Sequence, residues 1–303
     1  MGGYGLPVAI VRACLREGAG GSPTAVLDDA PLSDAERRRV PALTGASHAV
    51  FVSVRGGRPG RPSGADSVSL RFFTAAGELP GCGHGTVAAL AFLAERAGGR
   101  EYRAGLHAGG RAFTGWCTRE GSRFTAAFEA GPVELREPTA SECALVLPAL
   151  GLAPALRAAG VRVASVGRPR LLVPVASRSA LASLAPDVDR LREGCDRLGL
   201  LGAYVHTPPV PGGRGRVDVS ARMFAPSIGV PEDIANANST ACLAAHLAGR
   251  GVTALAVHMG DSLGSPATIT ATVTDAPGGG GGRPLIRLGG AALVAHRTSC
   301  ALP

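Results

Sequence analysis

The hydrophobic pattern of the chain centres on two short runs that lack a polar stripe. The first, Val87 to Leu93, reads Val-Ala-Ala-Leu-Ala-Phe-Leu. The second, Ser239 to Ala248, is also rich in alanine and leucine, and Gly249 follows it. A helix that is apolar all round is buried, whereas a surface helix has one apolar face, and glycine commonly stands just after a helix end. The pattern therefore predicts two buried helices, one in each half of the chain.

Short segments rich in β-branched and apolar residues, bounded by glycine- and proline-containing turns, predict the strands. In the first half these segments are Leu6–Val11, Thr24–Leu27, Ala49–Val54, Val68–Thr74, Tyr102–His107 and Arg123–Glu129. In the second half they are Arg162–Val166, Leu171–Ala176, Gly202–Thr207, Val217–Phe224, Leu255–Met259, Thr268–Thr274 and Leu285–Ala295. Ser33 with Glu36 predicts a capping box at the start of a helix that ends near Pro41. A short helix is predicted over Ser179–Leu184, and a hairpin connection over Gly56 to Gly64.

The two halves repeat one arrangement. Val68 to Phe73 leads through a loop to the first buried helix, and Val219 to Phe224 leads through a loop to the second. Arg71 and Arg222 occupy matching places in these strands, 151 positions apart, which is half the chain. This self-similarity predicts a duplicated unit of strand, loop and central helix.

Length and composition agree with two domains. The 303 residues, 46% of them hydrophobic, are enough for two cores, and 44 glycines with 23 prolines favour many short strands and turns. We expect an N-terminal domain over residues 1–125, joined by closing strands over residues 285–303. The C-terminal domain is expected over residues 126–284.

Charge and composition exclude several classes of function. The net charge is +8, but the arginines are scattered and only 4% of residues are aromatic, so the chain lacks a stacking platform and nucleic-acid binding is not expected. The sequence contains no lysine, which excludes Schiff-base enzymes and a P-loop. Its seven cysteines show no CxxC spacing, which argues against a zinc site or a disulfide framework and for a reducing compartment. No run of about 18 apolar residues exists, so we expect a cytoplasmic protein without a membrane segment.

The loop before the first buried helix, Cys82 to Thr86, carries the clearest candidate chemistry. Unpaired backbone N–H groups and the positive end of the helix dipole attract a carboxylate. We therefore predict that Gly83, Gly85 and Thr86 bind a small carboxylate substrate.

The start of the second buried helix is the matching candidate. Asn238 and Ser239 are residue types that cap helices, and capping by itself would explain them. Their other interpretation, shared with Asn236, is binding of the substrate carboxylate. Two helix N-termini facing one cleft would hold a small anion between the domains.

Several segments form motifs of a known family. These motifs are Arg71-x-Phe73-Thr74, Glu78-Leu79-Pro80 before Gly83-His84-x-Thr86, Ala221-Arg222-Met223-Phe224-Ala225-Pro226, and Glu232-Asp233-x-Ala235. With them the chain resembles, over nearly its whole length, the PhzF-like (phenazine biosynthesis-like) family of the diaminopimelate epimerase and proline racemase superfamily. The resemblance implies an α+β fold of two pseudo-symmetric domains, each a barrel-like sheet around a central buried helix. It also implies a cleft between them, no metal or cofactor, and a homodimer.

The resemblance further implies catalytic residues. His84 matches the family's histidine in the first helix loop, and Asp233 matches its aspartate. His48 stands where the family has a glutamate before a strand, and Asn238 stands where it has a serine. An imidazole, with a usual pKa near ~6.5, can take a proton from one carbon and return it to another. A nearby Asp233 would fix the tautomer of His48 or raise its pKa.

Cys82 points to a different branch of the superfamily. Proline racemase-like members carry Cys-Gly-His-Gly-Thr here and use the thiol as one of two opposed bases. The second thiol would fall near Asn236, where this sequence has none, and Cys242 lies more than a turn further along the helix. The pattern therefore disfavours a two-thiol racemase, although a thiol at a helix N-terminus keeps Cys82 among the catalytic candidates.

These observations predict a cofactor-independent isomerase that shifts a proton, and with it a double bond, along a small unsaturated or amino carboxylic acid. The family resemblance suggests secondary metabolism. Two alternatives stay open, namely an amino-acid racemase or epimerase that uses Cys82, and a non-catalytic protein that kept the ligand-binding cleft.

Overall fold

The structure is a computed structural model that describes residues 5–55, 66–153, 160–274 and 284–302. The connection predicted over Gly56 to Gly64 lies outside these ranges. Contacts between Cα atoms divide the chain into two compact units. Unit 1 is Met1–Glu129 with Gly289–Pro303, and unit 2 is Ala130–Leu288. The domain boundaries expected after residues 125 and 284 stay predictions.

Both units combine strands with a few helices. In unit 1 the elements are β1 (Leu6–Leu15), β2 (Ser22–Asp28), α1 (Asp34–Thr44), β3 (His48–Arg55), β4 (Asp66–Phe73), β5 (Glu78–Leu79), α2 (Gly83–Ala97), β6 (Glu101–Ala108), β7 (Arg111–Glu120) and β8 (Arg123–Glu129). In unit 2 they are β9 (Glu134–Arg136), α3 (Ala140–Ala149), β10 (Arg162–Val166), β11 (Arg168–Pro174), α4 (Arg178–Ala182), α5 (Val188–Leu198), β12 (Ala203–His206), β13 (Val210–Pro211), β14 (Val217–Ala225), β15 (Val230–Asp233), α6 (Ala237–Ala248), β16 (Ala254–Met259) and β17 (Ala267–Thr274). The last strand, β18 (Leu285–Cys300), contains the boundary between the units. Within the described ranges, no helix is both long and apolar enough to span a membrane.

The strands of unit 1 form a closed barrel around α2. Strand β1 pairs antiparallel with β2 and β18, β2 runs parallel to β3, and β3 pairs antiparallel with β4. The sheet continues from β4 to β6 in parallel and then antiparallel through β7 to β8, which pairs with β18. Every residue of α2 from Gly83 to Ala94 is buried. The predicted all-round burial of this helix is confirmed.

Alternation along β3 decides which residues reach α2. Ala49 and Phe51 belong to the core beneath α1, so their neighbours point to the opposite face of the sheet. Val50 accordingly lies against the start of α2, where its Cγ2 would be 3.0 Å from a Cβ placed on Gly85. His48 has the same parity as Val50 and therefore also faces α2.

Unit 2 has a sheet between α6 on one face and α3 with α5 on the other. Its strands pair antiparallel from β9 through β10 to β11, parallel from β11 to β12, antiparallel from β12 to β14, parallel from β14 to β16 and antiparallel from β16 to β17. Leu171 and Val173 of β11 pack in the core with Leu147 of α3 and Leu191 of α5. Residues of opposite parity face α6, which is buried along most of its length.

The duplicated unit predicted from the sequence is confirmed by the strand connections. In unit 1, β4 pairs antiparallel with β5, the chain enters α2, and β6 returns parallel to β4. In unit 2, β14 pairs antiparallel with β15, the chain enters α6, and β16 returns parallel to β14. The two units therefore share one connectivity around their central helices.

Some element predictions need correction. Helix α1 begins with the predicted Ser33–Glu36 capping box but continues through Pro41 to Thr44. It stops at Gly45, whose φ of 67° places it in the left-handed region that favours glycine. Helix α6 is capped by Asn236, not by Asn238 or Ser239. Strand β7 and the helices α3 and α5 were not predicted.

Candidate active site

A buried cluster of three side chains lies at the start of α2. His48 is the first residue of β3, Cys82 is the N-cap of α2 and His84 is in its first turn. Cys82 Sγ lies 3.4 Å from His84 Nε2, and the His48 and His84 rings meet edge to face with centroids 4.3 Å apart. All three side chains are more than nine-tenths buried. We call this group the His–Cys–His cluster.

Ser47 orients the ring of His48. Its Oγ lies 3.0 Å from His48 Nδ1 and donates to the carbonyl of Pro23 at 3.3 Å. Because the Ser47 hydroxyl donates its hydrogen to the carbonyl of Pro23, we assign His48 Nδ1 as the N–H that donates to Ser47 Oγ. The lone pair of the His48 ring then lies on Nε2. Ser47 is therefore the observed partner of the His48 ring, and the role toward His48 that the sequence analysis gave to Asp233 stays a prediction.

Burial makes His48 a neutral imidazole at physiological pH. The loss of hydration, followed by the electrostatic effect of His84, holds the pKa of His48 well below 6.5. Desolvation acts this way because it disfavours the charged form of a base. The cluster therefore offers a proton acceptor in its unprotonated state.

The glycine-rich loop brings the cluster together by close packing. A Cβ on Gly85 would lie 3.0 Å from Phe72 Cδ1 and 3.1 Å from Cys82 Sγ, so the helix approaches the sheet as closely as a glycine permits. Thr86 donates from its backbone N–H and from its hydroxyl to the carbonyl of Cys82, at 2.9 and 2.8 Å. Thr86 thereby holds the turn that carries Cys82, and its role in substrate binding stays a prediction together with those of Gly83 and Gly85.

In unit 2, Asp233 and Asn236 organise the start of α6. Asp233 accepts from the backbone N–H of Ala235 at 3.3 Å and from Asn236 Nδ2 at 3.0 Å. Asn236 Oδ1 in turn accepts from the backbone N–H of Ser239 at 2.9 Å. Asn238 is half-buried in the first helical turn. The structure thus brings the predicted residues of α6 into one hydrogen-bonded end, and their roles toward a substrate stay predictions.

Arg170, which the sequence analysis missed, lies behind this helix end. Its Nη1 donates to Ser239 Oγ at 3.0 Å and its Nη2 to the carbonyl of Arg168 at 2.7 Å. The side chain is 1% exposed, and its Nε has no hydrogen-bond partner among the residues the structure describes. The sequence did carry a signal for this residue, because Arg170 stands directly before the apolar run Leu171 to Val175. A charged side chain inside a buried strand needs a hydrogen-bonding partner.

Tyr204 is the second missed polar residue at α6. It is fully buried, its hydroxyl lies 3.0 Å from Thr240 Oγ1, and burial raises its pKa. The phenol is therefore a neutral hydrogen-bonding group inside unit 2.

Taken with the fold, these sites define a class of protein. Each unit wraps a sheet around a buried helix, and each helix begins with polar or acid–base side chains, as expected for the diaminopimelate epimerase and proline racemase superfamily. The chain belongs to the phenazine biosynthesis-like (PhzC-PhzF) family, whose model matches residues 12–297.

Relatives and solved structures agree with this assignment. An uncharacterized isomerase of Deinococcus radiodurans is 29% identical over 278 residues, covering 84% of this chain and 82% of the relative. The structure of a predicted epimerase from Pseudomonas aeruginosa superposes with a TM-score of 0.78 at 26% identity, over 98% of this chain and 100% of the other. A hydroxyproline epimerase from Agrobacterium vitis superposes with a TM-score of 0.61 at 11% identity, over 98% and 91% of the chains, and so shares the fold.

Proposed function

We propose that the protein is a cofactor-independent isomerase that moves a proton between carbon atoms of a small unsaturated or amino carboxylic acid, with migration of a double bond. The names of its relatives, an isomerase and an epimerase, support the general class. Cytoplasmic location, a homodimer and a place in secondary metabolism stay predictions.

The contact between His48 and His84 carries the proposal. Two imidazoles with ring centroids 4.3 Å apart offer two proton-transfer groups beside one another. A 1,3-shift needs a base that removes a proton from one carbon and an acid that delivers it two atoms away. His48, kept neutral by burial, is assigned as the base, and His84 as the group that returns the proton or donates to the intermediate.

The start of α2 supplies the electrostatic part. Removal of a proton next to a carboxylate delocalises negative charge, and helix N-termini stabilise such charge. Cys82 and His84 are on this turn, so charge develops next to the acid–base groups. We assign the backbone N–H groups of Gly83 and Gly85 to binding the substrate carboxylate, and we assign Thr86 to holding the turn, because its N–H and its hydroxyl both donate to the carbonyl of Cys82.

The residues at the start of α6 are proposed as a group of unit 2 that binds an anionic substrate group. The buried guanidinium of Arg170 adds positive charge beside the N-terminal turn of α6, through Ser239. Asn238 is half-buried and is assigned to hydrogen bonding with the substrate, with Asp233 and Asn236 holding the turn. Ser239 is fully buried, with its N–H bonded to Asn236 and its hydroxyl to Arg170, so in this proposal it positions the turn and links it to the guanidinium.

A deuterium-uptake experiment tests the function. The protein is incubated in heavy water with a panel of unsaturated and cyclic amino or carboxylic acids, and mass spectrometry reports deuterium at carbon. We expect uptake with at least one substrate, and a loss of about 100-fold or more in His48→Asn and His84→Asn. The exposed His107 provides the matched control, because His107→Asn keeps the wild-type rate.

Three outcomes would contradict the proposal. No deuterium in any compound, or an equal loss in His107→Asn, would remove the assigned chemistry. Ligand binding without turnover, with only affinity changed in the His48 and His84 variants, would favour a non-catalytic binding protein instead.

The contact between Cys82 Sγ and His84 Nε2 favours a second candidate, an amino-acid racemase that uses the thiol as a base. The two candidates differ in product, because racemisation inverts one carbon and leaves every double bond in place. Chiral chromatography of the same incubations distinguishes them. Full activity in Cys82→Ser would rule out the racemase.

A further inference from the structure

The donor atoms of the His–Cys–His cluster have the spacing of a metal site. One ring nitrogen of His48, one of His84 and Cys82 Sγ all lie within 4.8 Å of one another. Tetrahedral zinc, with Zn–S near 2.3 Å and Zn–N near 2.0–2.1 Å, places a sulfur and a nitrogen ligand about 3.5 Å apart. Cys82 Sγ and His84 Nε2 are 3.4 Å apart. A single ion therefore fits between them with little movement of either side chain.

The surroundings of His48 match those of a metal ligand. Ligating histidines usually donate their second ring nitrogen to an oxygen, which fixes the ring and directs the free lone pair at the ion. His48 Nδ1 has such a partner in Ser47 Oγ, which is itself bound to Pro23.

The chemistry of the donors selects the type of ion. Two imidazoles and a thiol, without a carboxylate among the three, suit zinc, cobalt or other borderline metals, whereas magnesium and calcium prefer oxygen ligands. Cys82 is also the N-cap of α2, where the helix dipole favours negative charge. The thiol would lose its proton to solvent on binding.

We propose that the His–Cys–His cluster binds Zn²⁺ or a similar divalent ion through His48, Cys82 and His84, with the fourth position left to water. This differs from the absence of a metal that cysteine spacing had predicted. The ligands come from β3 and from the start of α2, so no local motif joins them.

The consequence for catalysis rests on the proposed function. A bound ion occupies the lone pairs of both imidazoles, so neither can accept a proton from carbon. Zinc is therefore an inhibitor of the isomerase, and a chelator restores the rate. The same residues serve as acid–base groups without metal and as ligands with it.

Cobalt titration tests the site without measuring activity. The full chain is stripped with a chelator, exchanged into metal-free buffer and titrated with Co²⁺. We expect one equivalent to produce a thiolate-to-cobalt charge-transfer band in the near ultraviolet and strong visible bands of a tetrahedral ion. Zn²⁺ should abolish both, and Mg²⁺ should leave them unchanged.

Variants locate the ligands. Cys82→Ala removes the charge-transfer band, and His48→Asn weakens Co²⁺ binding by about tenfold or more while leaving a sulfur band. Cys242→Ala, at a buried cysteine of α6, is the matched control and keeps the wild-type spectrum. Absence of the band in the wild type, or its persistence in Cys82→Ala, would overturn the metal site. Deuterium uptake is measured separately on metal-free protein, so a failed metal site and a failed isomerase give different results.

Discussion

Arg222 and Glu232 are joined by two parallel hydrogen bonds, from Nε to Oε1 at 2.9 Å and from Nη2 to Oε2 at 2.7 Å. Arg71 and Glu78 repeat this geometry in unit 1, at 2.8 and 2.7 Å. Each arginine also lies over the phenylalanine two residues ahead of it in its strand. Both units therefore contain the same kind of Arg–Glu ion pair, and the two arginines are 151 positions apart in the sequence.

Burial separates the two pairs energetically. The side chains of Arg222 and Glu232 are each 12% exposed, whereas those of Arg71 and Glu78 are 35% and 40% exposed. We expect Glu232→Ala to lower the free energy of unfolding by about 3 kcal/mol or more, because it leaves the buried charge of Arg222 unpaired.

Glu78→Ala is the matched control and should lower the free energy of unfolding by about 1 kcal/mol or less. Water screens this exposed pair, and Arg71 keeps its ion pair with Asp34. Urea unfolding of both variants tests this, and equal costs would show that burial does not control these pairs.

Gly85 and Gly194 should respond oppositely to the same substitution. A Cβ at Gly85 would crowd Phe72, Val50 and Cys82 at 3.0–3.1 Å, so Gly85→Ala is expected to destabilise the protein by about 1–3 kcal/mol. In α5, a Cβ at Gly194 meets only Leu145 at an ordinary 3.5 Å.

Gly194→Ala is therefore the matched control and should stabilise the protein by about 0.5–1 kcal/mol through helix propensity. Thermal and urea unfolding give both values. A stabilising Gly85→Ala would contradict the close packing of α2 against β3 and β4.

His206 should make stability fall in acid. Its buried ring contacts the carbonyl of Thr207, and burial lowers its pKa to about 4. In the unfolded chain the pKa of a histidine is about 6.5, so below that pH the unfolded chain binds a proton before the folded protein does. The contribution of His206 to the free energy of unfolding is therefore fully present above about pH 6.5 and declines toward pH 4. The decline from this residue is about 3 kcal/mol.

Unfolding of the wild type and of His206→Leu at several pH values measures this effect. The variant loses the Thr207 contact at every pH, so only the slope with pH is compared, and it should be shallower. His107→Leu, at an exposed site, should keep the wild-type slope. An unchanged slope in His206→Leu would show that His206 does not titrate in this range.

The pH profile of deuterium uptake should extend into acid. His48 is a base whose pKa lies well below 6.5, so kcat/KM should stay level as the pH falls through 6.5 and decline only at lower pH. Ser47→Ala keeps the ring but removes the partner of Nδ1, so we expect a loss of about tenfold, smaller than that of His48→Asn. A profile that falls with a midpoint at or above 6.5 would exclude His48 as the base.

Local patterns predicted much of the fold. The two buried helices, the Ser33 capping box and the duplicated strand–helix unit were all readable, because helix burial and capping depend on residues a few positions apart. The missed helices also carried local signals. Thr139 and Glu142 form a capping box before α3, and Asp187 caps α5, which ends at Gly199. The error at Pro41 has another cause, because α1 continues to Thr44, whose hydroxyl donates to the carbonyl of Val40, and ends only at the left-handed Gly45.

The sequence by itself determined the family motifs, the paired central helices and the candidate residues near each helix start. Only the tertiary structure decided which of them meet. His48 contacts His84 and Cys82 because the side chains of β3 alternate between the two faces of the barrel wall and Gly85 lets α2 approach that wall. Arg170 contacts Ser239 because the side chains of β11 alternate in the same way. Strand parity and close packing are properties of the assembled sheet. His48 and Cys82 are 34 positions apart in the sequence, so no local spacing could predict that they form one cluster.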